Sequence, residues 1–84
     1  MPTAEEYAKL ADFLNASTEE EIVLSIRNVE QIIGVPLPES AYNIRQWWEN
    51  DEGHTQAKNG WLDVGWKTFQ VQMDLQRIPF KKNR

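Results

Sequence analysis

A change of hydrophobic period near Lys67 divides the chain. Upstream, apolar side chains recur at three- and four-residue intervals; downstream, Phe69, Val71 and Met73 alternate with Thr68, Gln70 and Gln72. The first pattern belongs to amphipathic helices and the second to a half-buried strand. The sequence therefore predicts an α+β fold in which helices lead and a β-hairpin closes. A chain of 84 residues holds enough apolar side chains for one hydrophobic core and too few for two, so residues 1–84 read as a single domain.

Local signals divide the helical part. Thr3 and Glu6 have the spacing of a capping box, and Tyr7, Leu10, Ala11 and Leu14 follow at helical intervals, which predicts a helix over 4–15. Ile22-Val23-Leu24 is rich in β-branched residues and too short for a helix, so a strand is expected over 22–24. Ser25 can cap a helix over 26–33 that carries Ile26, Val29, Ile32 and Ile33 and stops at Gly34. Val35-Pro36-Leu37-Pro38 forces an extended connection, after which a third helix is expected over 39–48. The turn formers Asn50-Asp51-Glu52-Gly53 precede a fourth helix over 54–64, ending at Gly65.

The hairpin is placed at 67–81, turning near Leu75-Gln76-Arg77. Pro79 has no N–H to give a ladder, which makes the last strand an expected edge strand, guarded by Lys81, Lys82 and Arg84. The order helix-strand-helix-helix(-helix) and then hairpin is that of a winged helix-turn-helix, with extra helical turns around 39–48.

Charge narrows the function. The net charge of −4 is unevenly placed: residues 1–40 hold eight acids and two bases, residues 41–84 five acids and seven bases. An acidic chain is not drawn to nucleic acid at long range, so such contact has to come from the basic second half. The absence of Cys excludes a disulfide framework and a thiolate metal site, and fits a cytoplasmic location. The start, Met1-Pro2-Thr3-Ala4-Glu5-Glu6, lacks the layout of a signal peptide, and no apolar run approaches the ~20 residues of a membrane span.

One His, no Gly-rich phosphate loop and no Gly-x-Ser-x-Gly turn argue against an enzyme. Glu49, Asp51 and Glu52 lack the calcium-loop spacing and read as a solvated turn. No cofactor, metal or membrane partner is expected.

Two sets of residues are candidates for contact. His54, Gln56, Lys58 and Asn59 on the fourth helix have the amides and cations that read base edges, with Lys67, Arg77, Lys81 and Lys82 tracking the phosphate backbone. The competing reading is that His54 caps or packs locally and that Gln56 or Asn50 satisfies loop backbone groups. The second set is Arg45, Trp47, Trp48 and Asn50, an interaction surface anchored by aromatics. Four Trp fall within residues 47–66. Helical spacing puts Trp61 and one of Trp47 and Trp48 in the core. Adjacent helical residues point about 100° apart, so the other Trp of the pair is expected to be partly exposed.

Leu37-Pro38-Glu39-Ser40-Ala41, Trp47-Trp48-Glu49-Asn50, His54-Thr55-Gln56-Ala57 and Trp61-Leu62-Asp63-Val64-Gly65-Trp66 together resemble a small uncharacterised bacterial and phage domain family, over residues 22–82. Ile78-Pro79-Phe80 stands at its closing strand, with Pro79 a departure from the pattern. The resemblance implies a domain found alone or beside others, nuclease-like ones included, which suits recognition. The expected function is a non-enzymatic, winged-helix-like module that binds nucleic acid. The alternative is a protein-interaction module, such as a phage-type inhibitor or regulator of a host defence protein, which the charge of −4 suits.

Overall fold

Thr3 starts the first helix as its spacing predicts: its hydroxyl accepts from the Glu6 N–H at 3.2 Å, and its own N–H donates to the Glu6 carboxylate at 2.8 Å. The computed structural model describes residues 2–83, in which this helix, α1, spans Ala4–Asn15. Strand β1 (Glu21–Ser25) leads into α2 (Ile26–Ile33), where Ser25 and Asn28 form a second reciprocal cap. Gly34 closes α2 in the left-handed conformation at φ 82°, a region that costs a glycine nothing. The Glu30 carboxylate then holds the proline connection, accepting from Leu37 N–H at 2.8 Å and from the Tyr42 hydroxyl at 2.5 Å. Burial, and then the bond to Glu30, push the Tyr42 hydroxyl pKa up.

The third and fourth helices are shorter than expected. Helix α3 covers only Glu39–Asn43; Ile44 is extended, at φ −123° and ψ 114°, and the chain resumes as a 3-10 turn over Arg45–Trp48. Asn43 and β-branched Ile44 are weak helix formers, and the break changes the direction of the Arg45–Trp48 turn. Both Trp47 (9% exposed) and Trp48 (1%) are buried, so the partly exposed Trp expected of a continuous helix is absent. Helix α4 covers Thr55–Gly60, after which Trp61 leaves the helical region at φ −148° and a 3-10 turn over Leu62–Val64 ends at left-handed Gly65.

Strands β2 (Trp66–Thr68) and β3 (Arg77–Lys82) complete an antiparallel sheet of order β1-β3-β2. The strand with Pro79 is therefore central, not an edge. Lys82 N–H donates to Glu20 in line with β1, and Asn83 N–H to Gly65 in line with β2, so successive residues of β3 address opposite neighbours. By that alternation the Pro79 nitrogen faces β2, at the point where β2 stops. Phe69 N–H still donates to the Pro79 carbonyl at 3.1 Å, but Pro79 returns no bond and regular pairing ends at Thr68.

The predicted strand through Phe69, Val71 and Met73 is accordingly a loop, residues 69–76. It has positive φ at Gln70 and Gln76 and is closed by paired bonds between Gln72 and Arg77, each 3.0 Å. Arg84, expected to guard an edge with Lys81 and Lys82, lies outside the described residues.

The core is strung on five rings. Tyr7, Trp47, Trp48, Trp61 and Phe80 follow one another at centroid separations of 6.1, 4.6, 5.9 and 5.5 Å, linking α1 to the central strand. The Tyr7 hydroxyl is buried with no partner among the described residues, and burial, then the charge of Glu6, raise its pKa. Tyr7→Phe keeps the ring and removes the unpaired hydroxyl. It should leave urea stability unchanged or raise it by up to about 1 kcal/mol, whereas Trp48→Ala should cost about 3–5 kcal/mol. A clear loss from Tyr7→Phe would mean that the hydroxyl has a partner.

Candidate functional site

Helix α4 spends most of its polar side chains internally. Gln56 Nε2 donates to the Trp47 carbonyl at 3.0 Å, and Asn59 Nδ2 to the Thr55 carbonyl at 2.9 Å. Lys58 Nζ bridges both oxygens of Asp63, at 3.0 and 3.2 Å. His54 sits at the N-cap without a side-chain cap bond, its Nε2 3.8 Å from Asp51. Ala57 and Gly60 are buried. The residues that the sequence offers for reading base edges thus each have an intramolecular neighbour, and two of those neighbours are carboxylates.

Asn50 has a part that sequence spacing alone does not reveal. Its Nδ2 donates to the Thr68 carbonyl at 2.9 Å, and its Oδ1 accepts from the Thr68 N–H and the Trp61 indole N–H, each at 2.9 Å. One carboxamide thereby bonds both backbone groups of Thr68, as a further strand would. Trp66 N–H is taken by the Trp61 carbonyl at 3.0 Å, so three outward backbone groups of β2 are held from within the chain. The Thr68 hydroxyl lies 2.6 Å from the Trp48 carbonyl, which joins the same lock to the aromatic core. Of the second candidate set, Trp47, Trp48 and Asn50 thus serve the fold, and the Arg45 guanidinium donates to the Val71 carbonyl in the 69–76 loop.

The outer face of the sheet gathers the cations. Pairing register sets Ile22, Leu24, Ile78 and Phe80 inward with Trp66 and Thr68, and leaves Glu21, Val23, Arg77, Pro79, Lys81 and Lys67 on the opposite face. Lys67 is directly across from Lys81, an unfavourable like-charge pair, with Glu21 on the other side of Lys81. Lys81 Nζ lies 4.6 Å from the centre of the Phe69 ring. Arg77 shares this face four residues along the strand, about 13 Å away. Lys82 turns to the other face, 5.9 Å from the Trp66 ring. Three of the four expected phosphate contacts therefore share a surface, and Phe69, which sequence reasoning did not single out, joins them.

The family model for a domain of unknown function, DUF7662, matches residues 7–83. The chain belongs to the DUF7662 family. The match begins within α1 and runs past β3, so it takes in the Asn50 lock and the basic face, and reaches further toward the N-terminus than the resemblance read from the motifs. No curated protein and no solved structure matches the chain. Among the described residues of this DUF7662 domain, no helix is long and apolar enough to cross a membrane, and no three His, Asp or Glu side chains gather as a metal site.

Asn50→Ala would leave the Trp61 indole N–H and both Thr68 backbone groups without their partner. Stability to urea should fall by about 2–4 kcal/mol, and the Thr68 amide should lose its protection from hydrogen exchange. Protection equal to the wild type would show that the carboxamide does not hold this edge.

Proposed function

We propose that this domain is a non-enzymatic, winged-helix-like module that binds nucleic acid on the outer face of its sheet. The observation that carries the reading is the opposition of Lys67 and Lys81 beside the Phe69 ring. Among the described residues, no carboxylate ion-pairs with either lysine or with Arg77. Two lysines held opposite each other repel, and a phosphate between them removes that cost while releasing counterions from the nucleic acid. Phe69 adds a ring face on which a base can stack.

The winged-helix part of the reading is supported by strand order. A sheet of order β1-β3-β2, with α4 and its 3-10 extension leading into β2, makes the 69–76 loop the counterpart of a wing. The contact element differs from the one the sequence favoured. Lys58 is paired with Asp63 and the amide nitrogens of Gln56 and Asn59 are committed, so α4 offers little to a groove, whereas a sheet face with one aromatic suits a single strand or an open loop.

Fluorescence anisotropy with labelled single-stranded and duplex oligonucleotides tests this. Lys67→Glu and Lys81→Glu should each weaken binding at low salt and lower the slope of log K against log salt by about 0.7–0.9. Phe69→Ala should cost about 1–3 kcal/mol, and Lys58→Glu should behave as the wild type. Loss of binding in Lys58→Glu alone would return the contact to α4; a wild-type protein silent to every oligonucleotide at low salt would end the nucleic-acid reading.

A further inference from the structure

The two edges of the sheet are finished differently. On β2 the outward N–H and C=O of Thr68 are held by the Asn50 side chain, and the Trp66 N–H by the Trp61 carbonyl. On β1 the alternation set by the Lys82-to-Glu20 bond turns the backbone of Glu21, Val23 and Ser25 away from β3. The Ser25 N–H is used by Asn28. Among the described residues nothing pairs with the outward N–H and C=O of Glu21 or Val23. Edges are ordinarily blunted by Lys, Pro or a bulge. β1 has no Lys, Pro or bulge, its one charged side chain being Glu21 at the start, and Val23 is 59% exposed.

An apolar groove of about 280 Å³ adjoins this edge, lined by Phe13 of α1, Leu24 of β1, and Asn28, Gln31 and Ile32 of α2. Leu24 has Ile78 beside it on the β3 side, so the groove opens on its free side. Phe13 is 43% exposed there. The approaches are acidic: Asp12 precedes Phe13, Glu19 and Glu21 lead into Val23, and no ion pair engages these three among the described residues.

We propose that β1 accepts, as a fourth strand, an extended segment of a partner protein that alternates apolar residues with Lys or Arg. Two N–H and two C=O groups of Glu21 and Val23 supply the pairing, and an inward apolar side chain of the added strand enters the groove between Phe13 and Ile32. Lys or Arg beyond it meets Glu19 and Glu21. The same charge argues against a second copy of this edge, since residues 1–40 carry eight acids against two bases. This surface is distinct from the Lys67–Lys81 face, and the inference stands or falls apart from the nucleic-acid reading.

The test uses the full chain and a short end-blocked peptide of alternating Lys and Val, with an alternating Glu and Val peptide as counterpart. Val23→Pro removes an outward N–H without touching a bond to β3, at a position where an edge strand tolerates proline. The Lys peptide should protect the Glu21 and Val23 amides from exchange and shift the Phe13 and Ile32 signals, and the Glu peptide should do neither. Val23→Pro, folded by its remaining spectrum, should bind roughly three- to tenfold more weakly, as expected for loss of one backbone bond. Lys67→Glu should bind as the wild type.

Equal binding by Val23→Pro, preference for the Glu peptide, or no protection at Glu21 and Val23 at millimolar peptide would overturn the proposal. Self-association of the wild type without peptide, abolished by Val23→Pro, would also overturn it, in favour of pairing between two copies.

Discussion

Trp47 and Trp48 are consecutive, bulky and both buried, and each has to reach a different ring of the core. The chain meets that demand by abandoning the helix at Ile44 and re-entering as a 3-10 turn, so that Trp47 packs toward Tyr7 while Trp48 stacks on Trp61. The closure of the sheet is a consequence. The 3-10 turn delivers Asn50 to the edge of β2, and the stacked Trp61 presents an indole N–H that needs an acceptor inside the protein. A single carboxamide meets both needs, so edge closure and core packing are one interaction rather than two.

The same coupling explains why β2 can be so short. Three residues of pairing to β3 would be marginal alone, but β2 is held on its other side by Asn50 and by the Trp61 carbonyl, and below by the Thr68 hydroxyl. Pro79 then sets where the strand ends. Its missing N–H falls opposite Phe69, which frees the chain to turn into the 69–76 loop while the Phe69 ring stays beside Lys81 on the outer face.

Features decided by a few neighbouring residues were legible in the sequence. The Thr3–Glu6 box, the Ser25 cap and the Gly34 stop lie where the spacing puts them, because capping is a local competition for backbone donors and acceptors. Features decided by contacts across the chain were not. Val71 and Met73 are loop side chains partly buried against the core, while Phe69 lies on the outer face, and period alone cannot tell either from a ladder. Pro79 excluded a donor, not a central strand, and only the register shows which neighbour the missing donor faces. Basic residue types were legible too, but Lys67 and Lys81 meet through pairing register while Lys82, one residue on, turns to the opposite face.

Register also places one carboxylate between the two surfaces. Glu21 lies across from Lys81 on the outer face and is at the same time the acid that leads into the open edge of β1. Were a basic strand docked on β1, its cation would offset the field of the Glu21 carboxylate at Lys81 and favour an anion there; the effect would be reciprocal. Both groups face water, so the coupling is limited to about 1 kcal/mol and fades as salt rises. Within those limits, the sign of any coupling between the two faces is set by where Glu21 falls in the ladder, and Lys67, on the far side of Lys81, takes no part in it.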